Sequence, residues 1–149
     1  MDYFDGELEQ AKDFALKLLS LRDRTEREIR ERLYEKGYSD EITERVLEIL
    51  GEYNYIDDEN FAKKYVSDCF RLKGWGNLKI LHMLREKGIS SETGENAVSE
   101  YLSENDIYPV IEKYLIRRGD SQKTVNYLIN KGFLYDDIEN ALYTYKETL

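Results

Sequence analysis

One pattern occurs three times along this chain, and it constrains the fold more than any other feature. Each copy places a lysine–glycine pair and an apolar residue at the end of a helical stretch, at 36–38, 87–89 and 131–133. The copies lie 51 and 44 positions apart and align without gaps over the helices on either side. A cation followed by a glycine that accepts positive φ is typical of a helix C-terminus. The pattern predicts tandem helical units, each too small to bury its apolar residues alone.

A leading helix precedes each copy of this pattern. Apolar residues follow helical spacing over residues 7–21, 57–72 and roughly 106–118. Strand-like alternation is absent apart from short ambiguous pieces, and the chain has a single proline. We therefore predict an all-α fold of three tandem three-helix units that form an elongated, curved helical array. The predicted units are residues 1–54, 55–104 and 105–149.

Several polar residues are placed to cap these helices. Thr25 and Glu28 have the spacing of a capping box, and Ser39 precedes the next helix. Asp57 stands where an N-cap residue accepts from the first turn, and Asp58 follows at the positive end of the dipole. We interpret this aspartate pair as a cap rather than as a catalytic pair.

The charge is distributed unevenly. The chain carries a net charge of −9 and has a pI near 4.8, which argues against strong binding to nucleic acid. Residues 62–88 hold seven cations and two carboxylates, a local charge of +5, whereas the flanking parts are acidic. We call residues 62–88 the basic island.

The basic island supplies the candidate partner-binding residues. They combine cations on exposed helix positions with one aromatic in a glycine-flanked turn, and they are Lys64, Arg71, Lys73, Trp75, Lys79, Arg85 and Lys87. Such a surface could meet phosphates, stack a base or dock on an acidic protein groove. The alternative interpretation is that the cations only solubilise the helices and that Trp75 packs over a helix junction.

The residue types needed for most catalytic and metal sites are missing. The sole histidine, His82, and the sole cysteine, Cys69, cannot supply the four ligands of a structural zinc site. Their pairing as base and nucleophile has no support in the spacing. No phosphate-binding loop is present, since Gly74-Trp75-Gly76 follows no strand. We expect a protein that is not an enzyme, with no catalytic residue, metal, cofactor or small-molecule substrate.

Hydropathy and cysteine usage bear on the compartment. No apolar run reaches the length of about 18 residues that a membrane span needs, and no signal-peptide pattern opens the sequence. A single cysteine on an apolar helix face is compatible with a reducing compartment. We expect a cytoplasmic monomer that does not bind membranes.

The motifs in the first two units resemble those of the bacterial RecX regulators of the RecA recombinase. In the first unit the shared positions are Arg22, Thr25, Glu28, Ile29, Leu33, Lys36 and Gly37. In the second unit they are Tyr55-Ile56-Asp57-Asp58, Phe61-Ala62, Lys73-Gly74, Ile80, Leu84 and Lys87-Gly88-Ile89. The third unit matches mainly through Lys131-Gly132.

This resemblance implies a fold of tandem three-helix units and a function. RecX-like proteins bind RecA filaments on DNA and inhibit ATP hydrolysis, strand exchange and the coprotease activity of the SOS response. Some also bind DNA weakly, so a weak DNA contact is a further expectation. Two alternatives stay open at this stage. One is a direct DNA-binding module with a helix-turn-helix-like pair around Lys87-Gly88, and the other is a helical scaffold for another protein.

Overall fold

A computed structural model describes residues 3–149, and every regular element within them is helical. The α-helices are α1 (Tyr3–Leu21), α2 (Glu26–Glu35), α3 (Asp40–Glu52), α4 (Asp58–Asp68), α5 (Asn77–Glu86), α6 (Ser91–Glu104), α7 (Tyr108–Arg118), α8 (Gln122–Asn130) and α9 (Tyr135–Thr148). A π-helical turn, Cys69–Lys73, continues α4. The predicted all-α fold is confirmed.

The helix starts form as the capping residues predict. The Thr25 hydroxyl oxygen accepts from the Glu28 backbone N–H at 3.2 Å, and the Glu28 carboxylate accepts in return from the Thr25 N–H. Ser39 accepts from the first turn of α3, and Asp57 accepts from the first turn of α4. These bonds satisfy N–H groups that have no partner within the helix.

Two carboxylates near the start of α2 respond to this arrangement in opposite ways. Burial would raise the pKa of Glu28, but the Thr25 N–H and the Arg22 guanidinium, 3.0 Å away, together hold that pKa below its usual value. Asp58 accepts from the Glu26 N–H at 3.0 Å and so also caps α2. Burial raises the pKa of Asp58 despite this bond.

The chain divides into two compact units. Unit 1 comprises the chain up to Phe61 together with Lys87–Ile89, and unit 2 comprises Ala62–Glu86 with Ser90–Leu149. The sequence-based division into units at 54/55 and 104/105 stays a prediction.

Unit 1 is built on mutual packing of α1, α2 and α3. Its core consists of aliphatic side chains at helical spacing, namely Ala11, Ala15, Leu18, Ile29, Leu33, Ile42, Val46, Leu47, Leu50 and Ile56. These side chains form the apolar helix faces that the periodicity predicts. Burial of these faces against one another therefore accounts for the fold of this unit.

Unit 2 contains two groups of packed helices. α5 packs on α6, and α7 packs on both α8 and α9. Phe70 is buried and stacks on Tyr101 with ring centroids 4.9 Å apart. The core of α7–α9 is formed by Ile111, Leu115, Val125, Leu128, Phe133, Ile138 and Ala141.

Within unit 2 the start of α5 is held by the lysine–glycine turn that follows α8. The Gly76 N–H donates to the Lys131 carbonyl at 2.9 Å, and the Leu78 N–H donates to the Gly132 carbonyl at 2.8 Å. The two backbones lie so close that a Cβ on Gly76 would overlap the backbone of Phe133. Gly132 also has φ of +95°. Only glycine fits this junction without a shift of the backbone.

Within unit 1 the turn Lys87–Ile89 makes an equivalent junction with the start of α2. The Thr25 hydroxyl donates to the Lys87 carbonyl at 2.6 Å, and Gly88, with φ of +89°, lies against the Arg27 side chain. Thr25 and Gly76 occupy corresponding positions in the sequence repeat, 51 residues apart. A side-chain hydroxyl in one unit thus does what a backbone N–H does in the other.

Replacing Gly76 with alanine tests the close backbone approach in unit 2. We expect the free energy of unfolding to fall by about 1–3 kcal/mol, the usual cost of overpacking. Gly51, exposed near the end of α3 with open space around it, provides a matched change. Gly51→Ala should leave stability unchanged or raise it slightly, because alanine favours helix. Urea denaturation followed by circular dichroism measures both, and equal effects would contradict the junction geometry.

The Thr25 hydroxyl allows a similar test in unit 1. Thr25→Val keeps the shape of this fully buried side chain but leaves the Lys87 carbonyl and the Glu28 N–H without their partner. Loss of such bonds should cost about 1–3 kcal/mol. Thr25→Ser retains the hydroxyl and is the control. Denaturation midpoints that coincide for the two variants would show that the hydroxyl contributes nothing.

Candidate partner-binding surface

The structure places six of the seven predicted surface residues in unit 2. Lys64 lies on α4, Arg71 and Lys73 on the π-helical turn, Trp75 in the loop that follows, and Lys79 and Arg85 on α5. Lys87 belongs instead to unit 1. The assignment of these residues to partner binding stays a prediction.

The π-helical turn sets the direction of the side chains at the end of α4. Cys69 and Phe70, its first residues, are both buried, whereas the three residues after them are exposed. Gly74 ends the turn in the left-handed conformation, φ +65°, and its N–H donates to the Cys69 carbonyl. The helical spacing over residues 57–72 predicts the helix up to this point but not the π-helical widening, which often accompanies functional sites.

The two lysines predicted beside Trp75 both lie close to its ring. The Lys73 Nζ lies 4.6 Å and the Lys79 Nζ 4.4 Å from the ring centroid. The ring is half-buried, and ammonium groups at this range are attracted to its π-electrons. An incoming base that stacks on a face covered by lysine has to displace the lysine. The arrangement therefore suits a cationic contact surface better than a stacking platform.

The remaining predicted cations differ in what surrounds them. Arg71 is exposed and donates to the Ser67 hydroxyl at 3.1 Å and to the Asp68 carboxylate at 3.2 Å. Such an exposed pair is weak and can be replaced by a partner. Lys64 and Arg85 are exposed. Lys87 is half-buried, and its carbonyl accepts the Thr25 hydroxyl, so the turn considered for a DNA-binding helix pair has a structural role within unit 1.

A cleft beside the π-helical turn brings further cations to the surface. It has a volume of about 250 Å³ and is lined by Phe70, Arg71, Leu72, Lys73, Gly74, Val110, Lys113, Tyr114 and Arg117. Four of these residues are cationic and none is a carboxylate. The Tyr114 hydroxyl donates to the Gly74 carbonyl at 2.7 Å and ties α7 to the turn. We call this site the cationic cleft.

Two residues of the cationic cleft, Lys113 and Arg117, were not selected from the sequence. They lie four positions apart on α7, so they share a helix face. This spacing indicates a small cationic helix face. The surrounding residues 89–149 carry a net charge of −5, however, so a comparison of regional charges does not reveal it. Their proximity to Arg71 and Lys73 depends on tertiary packing and cannot be seen in the sequence.

The candidate metal ligands and the sole histidine and cysteine lie in the described residues. No group of three or more histidine, cysteine, aspartate or glutamate side chains within residues 3–149 is arranged to hold a metal ion. Cys69 is buried, whereas His82 is exposed and lies 3.9 Å from Glu86. None of the helices in that same range is long and apolar enough to cross a membrane.

Comparison with known protein families gives two matches. A family model described as the first three-helix domain of RecX matches residues 11–50, and one described as the second three-helix domain of RecX matches residues 57–98. Together they cover more than half of the chain.

Relatives and solved structures agree with these models. A regulatory protein RecX from Clostridium perfringens is 34% identical over 89% of this chain and 66% of its own length. One from Prosthecochloris aestuarii is 32% identical over 93% of this chain and 95% of its own. The chain thus spans about two thirds of the first relative and nearly all of the second. The crystal structure of RecX from Lactobacillus salivarius shares the fold, with a TM-score of 0.85 at 23% identity over 95% of this chain and 98% of its own.

The local charge at Trp75 can be measured through its fluorescence, because it is the only tryptophan. With each ion's quenching expressed relative to its quenching of free N-acetyltryptophanamide, we expect iodide to quench Trp75 more effectively than caesium, even though the chain is acidic overall, because two ammonium groups lie within 5 Å of the ring centroid. Lys73→Glu/Lys79→Glu should reverse this order. Lys123→Glu/Lys146→Glu makes the same total change at exposed positions of α8 and α9 and should preserve it. Stronger quenching by caesium in the unmodified chain would contradict the geometry.

Proposed function

This chain belongs to the RecX family of regulatory proteins, and on that premise we propose that it binds the RecA filament on DNA and inhibits its activities. The inhibited activities are ATP hydrolysis, strand exchange and the coprotease function, so the protein acts in recombination and repair. It works as a cytoplasmic monomer through binding and performs no chemistry itself.

The observation that carries the proposal is the pair of RecX domain matches on consecutive helix triplets. Residues 11–50 extend from within α1 to within α3, and residues 57–98 extend from the start of α4 into α6. The relatives that align over most of the chain bear the name regulatory protein RecX. A regulator of this kind needs a surface for its partner rather than a catalytic centre.

We assign the contact with the filament to the surface around Trp75. The ammonium groups of Lys73 and Lys79 lie against the half-buried ring of Trp75, and the exposed Arg71 pairs with the exposed Asp68. Aromatic residues and arginines at the centre of a contact commonly carry much of its binding energy. Within unit 2, Lys64 and Arg85 extend the proposed surface, and Lys87 of unit 1 is proposed as a further contact residue.

A binding protein can inhibit an enzyme filament by favouring one of its states. The shift it produces is limited by the difference between its affinities for the two states. Preference for filament ends would stop growth at ratios far below one regulator per protomer. Occupation of the filament groove would instead require nearly one regulator for every few protomers. The ratio needed for inhibition distinguishes the two modes.

The test is DNA-dependent ATP hydrolysis by the cognate RecA, titrated with this chain. We expect inhibition by the unmodified chain and by Lys123→Glu/Lys146→Glu. Lys73→Glu/Lys79→Glu should need at least about tenfold more protein, a loss of about 1.4 kcal/mol in binding.

Two results would show whether the proposed function or the proposed contact surface is wrong. Undiminished ATP hydrolysis in an excess of folded chain would overturn the proposed function. Full inhibition by Lys73→Glu/Lys79→Glu would overturn the surface assignment while leaving the function in place.

A further inference from the structure

The cationic cleft of unit 2 is formed by two parts of the chain that lie far apart in the sequence. One wall is the end of the π-helical turn with Arg71 and Lys73, and the other is the face of α7 with Lys113 and Arg117. Four cations therefore line a concave site of about 250 Å³ with no carboxylate among the lining residues. Ordinary solubilising cations lie on convex helix faces and interleave with acidic residues, as they do along α2.

The cleft is held in place by hydrogen bonding and aromatic packing. The Tyr114 hydroxyl bonds to the Gly74 carbonyl at 2.7 Å, across 40 residues of chain. The Tyr114 ring also lies 5.7 Å from that of Tyr127 and 6.1 Å from that of Phe133, between ring centroids. Glycine is favoured at position 74, because its φ is +65° and a Cβ there would push the Tyr114 hydroxyl away. A preformed site loses less entropy when it binds.

The residue types favour an oxyanion as ligand. The planar guanidinium of an arginine can donate two parallel hydrogen bonds to a carboxylate or a phosphate, and a lysine adds a point charge. Lys113 and Arg117 are exposed, and the Arg71 pair with Asp68 lies at the surface, where an incoming anion can compete with it.

The overall charge of the chain favours protein carboxylates over nucleic-acid phosphates as the ligand. Nucleic acid is a polyanion that gains affinity from many phosphate contacts along an extended basic surface. This chain carries −9 in total, so a ligand that extends past the four cations comes within the Debye length of about 8 Å of acidic surface and is repelled there. A compact cluster of four cations acts at short range and suits a few carboxylates on a partner that other contacts already hold.

We propose that the cationic cleft binds glutamate or aspartate side chains of an acidic segment on the protein partner. The partner being a protein rests on the proposed function, whereas the ligand chemistry rests on the cleft alone. The inference assigns a role in recognition to Lys113 and Arg117, and hence to α7.

A titration monitored by NMR tests the proposal on the full chain. The probes are a short oligoglutamate peptide with capped ends and an oligothymidylate of matched charge. We expect the peptide to shift the amide signals of residues 71–74 and 113–117. Lys113→Ala/Arg117→Ala should weaken this binding at least about tenfold, as expected for loss of charge-assisted pairs. Lys123→Ala/Lys146→Ala, which removes the same charge from α8 and α9, should bind like the unmodified chain.

Three results would overturn the proposal. They are shifts spread evenly over lysines and arginines, unchanged affinity in Lys113→Ala/Arg117→Ala with its spectrum otherwise preserved, and tighter binding of oligothymidylate than of peptide. The titration contains no recombinase, so it is independent of the hydrolysis assay. A chain that inhibits the recombinase but fails to bind the peptide overturns the cleft assignment alone. Peptide binding in the cleft without inhibition overturns the proposed function alone.

Discussion

The contact between a lysine–glycine turn and the start of a helix is the constraint on which the rest of this structure depends. A helix start has N–H groups with no partner in the helix, and the turn offers carbonyl groups released at the end of another helix. In unit 2 the Gly76 and Leu78 N–H groups bond directly to those carbonyls. In unit 1 the Thr25 hydroxyl makes the bond to Lys87. Each junction satisfies polar backbone at the place where two helices must approach closely, so it needs glycine at the point of contact.

These junctions explain why much of the fold can be predicted from the sequence. Caps such as Thr25 and Ser39 act on N–H groups three residues away, and helical periodicity is also a local property. The recurring Lys-Gly pairs mark helix ends, because positive φ is local as well. What the repeat could not reveal is where each turn docks. Corresponding positions carry threonine in one unit and glycine in the other, so the shared role becomes visible only in the structure.

The candidate site was less predictable, because it depends on distant residues and on one irregular turn. The order Lys73-Gly74-Trp75 places a cation and an aromatic together locally, and the structure brings Lys73 and Lys79 to the ring of Trp75. The cationic cleft instead requires α7 to lie beside the π-helical turn. No local sequence pattern predicts this packing, and none predicts the bond from Asp58 to the start of α2.

Net charge and local charge therefore lead to different conclusions about binding. A total of −9 describes the field felt far from the surface, and that field is screened within about 8 Å at physiological salt. At closer range the ligand meets individual groups, and around Trp75 and the cationic cleft those groups are lysines and arginines. Such a surface gains little from long-range steering and depends on contact geometry. It therefore favours a partner that presents a few well-placed carboxylates over one that presents a long run of phosphates.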